Sequence, residues 1–255
     1  MPVGGGRETR DVSEDWGVTI RRIARGWLFG DVTPERFPPF AILPLENPDG
    51  HEAKHFLEGL TDVEEHRAVA FGERRGRRIA LLSSKFGAPA PAMTVEVLAD
   101  LGVRHLVGVG FCGGLAGDVQ CGDFVLPSAA LRDDGTTARY VDASYVAAAD
   151  PAGVARFREL AKADGAVVHV GPVWSTDTVM LETTANLRRW AQAGAIGVEM
   201  ECGALFTLAA LRGITAVAVL VASDHPIAGR ETDLNALSAG HARAARLALD
   251  YLATL

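Results

Sequence analysis

A chain of 255 residues and 26.9 kDa, 48% hydrophobic and 22% charged, is long enough to bury a substantial core as one large α/β domain. Its net charge of −7 argues against a broad nucleic-acid surface, because phosphate backbones reward lysine and arginine; a few local arginines could still hold a small anion. No apolar run approaches the ~20 residues that span a bilayer, so neither nucleic acid nor membrane is expected as a partner.

Residues 1–35 read as an N-terminal arm. The run Gly4-Gly5-Gly6 and the charges that follow favour flexibility at its extreme end. It lacks an apolar stretch of signal-peptide length. Cys112, Cys121 and Cys202 are odd in number and have no metal-type spacing, so a reducing, cytoplasmic setting is expected. Residues 36–255 read as a single domain. Residues 40–43 form a short apolar strand stopped by Pro44. Residues 68–71 and 77–82 form a hairpin with Arg75-Gly76 near its turn. Pro91 opens a helix with Met93, Val97, Leu98 and Leu101 at helical spacing, and Gly102 ends it. A strand over 105–109 then runs into a glycine-rich turn, residues 110–114, and a strand over 124–126 is stopped by Pro127. Helices are expected over 151–164, 183–193, 202–212 and 234–252, and strands over 166–173, 195–198 and 215–222. This alternation predicts a largely parallel sheet covered by helices.

Three stretches can carry chemistry. The sequence Gly110-Phe111-Cys112-Gly113-Gly114 after a strand lets backbone N–H groups approach an anion or a sugar. It is neither a P-loop nor a dinucleotide fingerprint. In Glu199-Met200-Glu201 the two acids share a face of a strand, with Met200 opposite, unless the chain bends there. They are either acids favoured before a helix N-terminus or a grip in which one carboxylate accepts from two sugar hydroxyls while Met200 lies on the sugar's apolar face. Ser223-Asp224-His225 follows seven apolar residues at the strand end where α/β proteins place function. Asp224 either caps the turn before Pro226 or serves as a general acid. Ser223 is not in a G-x-S-x-G elbow, which disfavours a hydrolase triad.

Together with Leu101 to Gly114, Gly122-Asp123-Phe124-Val125, Arg132-Asp133-Asp134-Gly135-Thr136 and Ser175-Thr176-Asp177, these stretches resemble the nucleoside phosphorylase/nucleosidase family: bacterial-type purine nucleoside phosphorylases, uridine phosphorylases and methylthioadenosine nucleosidases. The resemblance runs from about Phe40 to the C-terminus. It implies a single-domain α/β/α sandwich around a central mixed, partly barrel-like sheet, and cleavage of the ribose–base bond through a cationic ribosyl transition state. By the same resemblance, Glu201 holds the ribose 2′- and 3′-hydroxyls, with Met200, Glu199 and Tyr140 on the sugar side. Asp224 shares a proton with purine N7, beside Ser223. Thr176, Asp177, Val179 and Met180 face the base, and Gly110, Phe111, Cys112, Gly113, Arg67 and Lys85 face the nucleophile. Ser223-Asp224 leans toward a purine, the base that offers N7.

The chain departs from the pattern mainly at the anion. Where bacterial phosphorylases carry arginines it has Gly50 and Gly108, Phe111 replaces a threonine, and Val179-Met180 stands in place of an aromatic pair. Arg67 matches the arginine donated by a neighbouring subunit, Lys85 is a partial substitute for the missing charge, and Arg230, six residues after Asp224, is a further candidate. The expected activity is therefore reversible phosphorolysis of a nucleoside, purine-leaning, to free base and ribose 1-phosphate. The alternatives are a hydrolase of the same fold, with Glu46 activating water, or a catalytically altered nucleoside-binding member. No cofactor is implied beyond inorganic phosphate as co-substrate. No metal is implied, since His51, His55 and His66 lack a ligand pattern. A homo-oligomer, dimer or trimer of dimers, is.

Overall fold

The structure, a computed structural model, describes residues 12–45, 53–83 and 86–255. The expectations placed on Glu46, Gly50, His51 and Lys85 lie outside the described residues. In chain order the elements are α1 (Val12–Phe29), β1 (Phe40–Leu45), α2 (Ala53–Leu57), β2 (Thr61–Glu65), β3 (Val69–Arg74), β4 (Arg77–Leu82), α3 (Pro89–Asp100), β5 (His105–Gly114) and β6 (Phe124–Asp133). They continue as β7 (Ala147–Ala148), α4 (Pro151–Ala163), β8 (Val168–Thr176), α5 (Thr184–Gln192), β9 (Gly197–Glu199), α6 (Cys202–Leu211), β10 (Thr215–Asp224) and α7 (Leu234–Ala253).

One sheet runs in the order β10-β6-β8-β9-β5-β1-β4-β3-β2, and an additional pairing of β10 with β5 closes five of its strands into a ring. β1 is parallel to both β4 and β5, while β9 is antiparallel to β5 and parallel to β8. This is the mixed, partly barrel-like sheet that the resemblance implies. The β3–β4 hairpin turns at Arg75 (φ 52°) and Gly76 (φ 74°), two consecutive left-handed residues of the kind that match strand twist. Two helix groups cover the sheet: α6 with α3 and, outside it, α1; and α7 with α2 and α4. The main core is continuous, and a smaller cluster of Trp174, Leu187, Val198, Leu115 and Ala195 seats α5 against β8 and β9.

Four expectations change. Pro44 does not end β1: beyond Ile42 the strand pairs with β5 alone, so an imino acid is tolerated there. Pro127 does not end β6, because it sits at a register shift between Pro127 and Ala130, and a bulge dispenses with one ladder donor. Residues 110–114 are not a turn. They continue β5, hydrogen-bonded first between β1 and β10 and then to β9. The poorly patterned arm holds a helix over Val12–Phe29, anchored by buried Ala24 and Phe29, with Phe29 packed on Phe37 and Phe37 edge-on to Phe71.

Candidate active site

β9 is three residues long and delivers its acids through a bend. Glu199 ends the strand, and Glu201 occupies the N-cap of α6 with φ −129° and ψ −31°. The two acids therefore do different work. Glu199 turns back, and its Oε2 accepts from the N–H groups of Glu201 (2.7 Å) and Cys202 (2.6 Å). These are orphan donors of the helix start, so Glu199, assigned to the sugar by resemblance, spends one oxygen on capping α6. Glu201 instead accepts from the Gly87 N–H at 2.7 Å, which ties it to the segment leading into α3. Both acids are buried. Burial, and then the Glu199 carboxylate, push Glu201 up to about 8, and burial raises Glu199 as well. Two carboxylates in one dry site cannot both ionise cheaply. Met200, between them, is half-buried.

Asp224 ends β10 opposite Gly113, at a register shift after Ala222. The Ser223 hydroxyl lies 2.6 Å from Asp224 Oδ1 and 3.1 Å from the Cys112 carbonyl, fixing the carboxyl on the ring's rim. A Cβ on Gly113 would stand 3.4 Å from Asp224 Oδ1 and 3.0 Å from Val198 Cγ1, so the absence of a side chain keeps that approach open. Cys112, buried on β5, is pushed up by burial and then by the charges of Glu199 and Asp224. The register brings these residues together: Cys112 pairs with Ala222 and Gly113 with Asp224 and Val198, while Glu199 pairs with Ser175 at the end of β8, two residues before Asp177.

At the end of β8, buried Thr176 and exposed Thr178 face each other through their hydroxyls at 3.1 Å, and Asp177 accepts from the Gly135 N–H at 2.7 Å. This joins β8 to the turn at 134–137, where Asp134 takes both the N–H and the hydroxyl of Thr137 at 2.6 Å. Val179 and Met180 are exposed. Tyr140 lines a groove of about 450 Å³ with Ile20, Trp27, Met93 and Glu96, between α1 and α3.

Gly108, where an arginine was expected, lies in an apolar layer: a Cβ there would meet Leu205 Cδ2 and Leu45 Cδ1, each at 2.8 Å, and a larger side chain requires both leucines to shift. At Gly110 a Cβ would fall 2.2 Å from the Leu45 carbonyl oxygen, a backbone approach that only glycine permits. Phe111 packs its ring 5.2 Å from that of His241 on α7. Arg67 is exposed in the β2–β3 connection and pairs with no acid among the described residues. Arg230 is structural: it donates to the carbonyls of Gly117 (3.2 Å) and Val119 (2.8 Å), while His225 lies 2.9 Å from that of Ala116. Among the described residues no cluster of His, Cys, Asp or Glu could hold a metal ion, and no helix is long and apolar enough to cross a membrane.

Two residues were not singled out from sequence. Gly87 carries no signal beyond a glycine before a helix. Glu182 follows the turn Val179–Leu181 and is half-buried; burial and then the Asp224 carboxylate push it up to about 7. Its signal was an acid just ahead of a helix, which reads as an ordinary dipole-favoured residue.

The chain is 32% identical over 184 residues to a DeoD-type purine nucleoside phosphorylase of Alkaliphilus metalliredigens, covering 71% of this chain and 79% of that one. It is 30% identical over 156 residues to a guanosine phosphorylase of Halorubrum lacusprofundi, covering 61% and 65%. The crystal structure of Vibrio fischeri uridine phosphorylase complexed with 6-hydroxy-1-naphthoic acid superposes with a TM-score of 0.80 at 26% identity, over 88% of this chain and 95% of that one. A family model described as the phosphorylase superfamily matches residues 45–255, and the chain belongs to that superfamily.

Proposed function

We propose that this protein is a nucleoside phosphorylase acting on purine nucleosides. The observation that carries the reading is that Glu201, just past β9, and Asp224, at the end of β10, flank β5, where both strands pair with Gly113, with Glu201 held by Gly87 and Asp224 by Ser223. Glu201 accepts from the ribose 2′- and 3′-hydroxyls, and Met200 covers the sugar. A phosphate oxygen forms the new bond to C1′ as the C1′–N9 bond breaks. The bonding pair leaves with the base, and the Asp224 proton passes to N7, so the purine departs neutral. Sugar grip and leaving-group protonation both strengthen as charge separates, which is where binding lowers a barrier. The relatives named for purine nucleosides and guanosine support the purine.

The apolar packing at Gly108 favours a second reading at the nucleophile, hydrolysis by water, since a phosphate dianion in a pocket calls for charge-assisted donors. Within the first reading, exposed Arg67 serves a neighbouring copy in a homo-oligomer. Three free cysteines support a reducing, cytoplasmic setting. The test is base release from inosine, guanosine, adenosine and uridine by the purified protein and by Asp224→Asn. The reading expects purine release that falls by about 10²-fold or more in the variant. Release from uridine alone, or an unaffected variant, contradicts it.

A further inference from the structure

Four arginines, Arg74, Arg75, Arg77 and Arg78, meet at the β3–β4 hairpin of a chain whose net charge is −7. Arg77 lies over the Phe40 ring, and Arg78 pairs with Glu64 at 3.1 Å. Arg74 and Arg75 turn to α7 instead. Their guanidiniums reach the same oxygen of Asp250, at 2.9 and 3.1 Å, and Arg75 does so from a left-handed backbone (φ 52°), a conformation unfavourable to a residue with a Cβ. Arg246 stands 3.8 Å from the other oxygen of Asp250, and 2.8 Å from Asp164, which it shares with Arg243. Four guanidiniums thus gather on two carboxylates. Between them opens a groove of about 430 Å³, lined by Arg74, Arg243, Arg246, His55, Glu58 and Gly59. Even with Glu58 included, the cations outnumber the acids. Arg243 and Arg246 are one turn apart on α7, a spacing at which like charges repel, and partly exposed ion pairs add little stability. The empty protein gains little from this excess of positive charge; an anion in the groove relieves it.

We propose that this groove binds a chain of phosphates, either a linear polyphosphate or the phosphates of a nucleoside triphosphate. A guanidinium keeps its charge throughout the pH range of a folded protein, and its planar fork matches phosphate oxygens two at a time. Each carries five N–H donors. Arg74 uses three of them, on Asp250 and the Gly59 carbonyl. The two aspartates hold the cations side by side before any ligand arrives, which lowers the cost of ordering them. A lone phosphate fills only part of the space. A chain sets successive negative charges against the hairpin pair, Arg74 and Arg75, and the helix pair, Arg243 and Arg246. Neither Glu201 nor Asp224 lines the groove, so the site stands apart from the nucleoside chemistry proposed above.

The experiment is a calorimetric titration of the full-length protein with inorganic tripolyphosphate, ATP and orthophosphate at about 0.1 M salt. The double variant Arg243→Gln/Arg246→Gln is titrated alongside, with its melting temperature. The proposal expects tripolyphosphate to bind at least about tenfold more tightly than orthophosphate, and to lose about tenfold or more in affinity in the variant. ATP that binds more tightly still, and weakens in step, assigns the nucleotide; ATP no tighter than tripolyphosphate assigns the bare chain. Absence of tripolyphosphate binding, orthophosphate binding of equal strength, or an affinity unchanged in the variant overturns the proposal. If the variant does not fold, hydrogen–deuterium exchange of the wild type decides. Protection by tripolyphosphate over residues 55–59, 74–76 and 242–246, which surround the groove, supports the site, and protection absent there overturns it.

Discussion

Gly87 N–H donates to Glu201 Oε1 at 2.7 Å, so Glu201, the acid proposed to hold the sugar, is set by the segment entering α3 and not by its own strand alone. Glu201→Gln keeps the size and one acceptor but puts an N–H₂ donor in place of the second. A buried polar group left without its partner costs about 1–3 kcal/mol, so kcat/KM is expected to fall by about 10–100-fold with the fold intact. Steady-state kinetics together with a thermal melt check this.

Glu199 caps α6 through two N–H groups at 2.7 and 2.6 Å. Glu199→Ala is expected to destabilise the protein by about 2 kcal/mol or more, and Glu199→Gln, which keeps an acceptor, by less. Chemical denaturation of the three proteins measures both. Equal loss in the two variants would mean that charge, not capping, is what Glu199 provides.

The pH dependence of stability follows from three carboxyls that the fold raises: Glu201 to about 8, Glu182 to about 7, and Glu199 upward through burial. An unfolded glutamate releases its proton near 4.5, whereas the folded protein retains it to higher pH. Between these values the native state binds more protons than the unfolded one, so the contribution of these groups to stability falls as pH rises. It is complete below about pH 4.5 and lost by about pH 8. Melting curves of the wild type and of Glu182→Gln from pH 5 to 8 should converge at the acid end and separate toward pH 8, with the variant the more stable.

Gly108 faces Leu45 and Leu205, whose Cδ atoms must shift to admit a Cβ. Gly108→Ala is expected to cost about 1–3 kcal/mol through overpacking. Gly108→Arg, the residue of bacterial phosphorylases at this position, is expected to unfold the protein or lower its melting point steeply without improving phosphate affinity. A Gly108→Arg protein that folds normally and binds phosphate more tightly would contradict the packing.

Much of this was legible in the chain. The final helix, expected over 234–252, is Leu234–Ala253, because its apolar spacing and Asp233 cap are local. What escaped was tertiary. Trp16, Ile20, Ile23, Ala24 and Trp27 of α1 do repeat at helical spacing, but flanking charges and glycines at 17 and 26 obscured it. Pro44 and Pro127 marked strand ends only on the assumption that each strand has a partner on both sides. Glycines 110, 113 and 114 suggested a turn, whereas close contact with Leu45, Val198 and Val119 is what excludes side chains there. Glu201 and Asp224 could be named from motifs. The capping by Glu199 and the hold from Gly87 depend on which elements meet, which a linear pattern does not encode.

The most direct test of the central claim is product analysis: inosine or guanosine incubated with the purified protein, with and without inorganic phosphate, followed by phosphorus NMR and sugar assay. Phosphorolysis predicts base release that requires phosphate and yields ribose 1-phosphate in equal amount. Free ribose formed at the same rate in the absence of phosphate, or no base released under either condition, would contradict it.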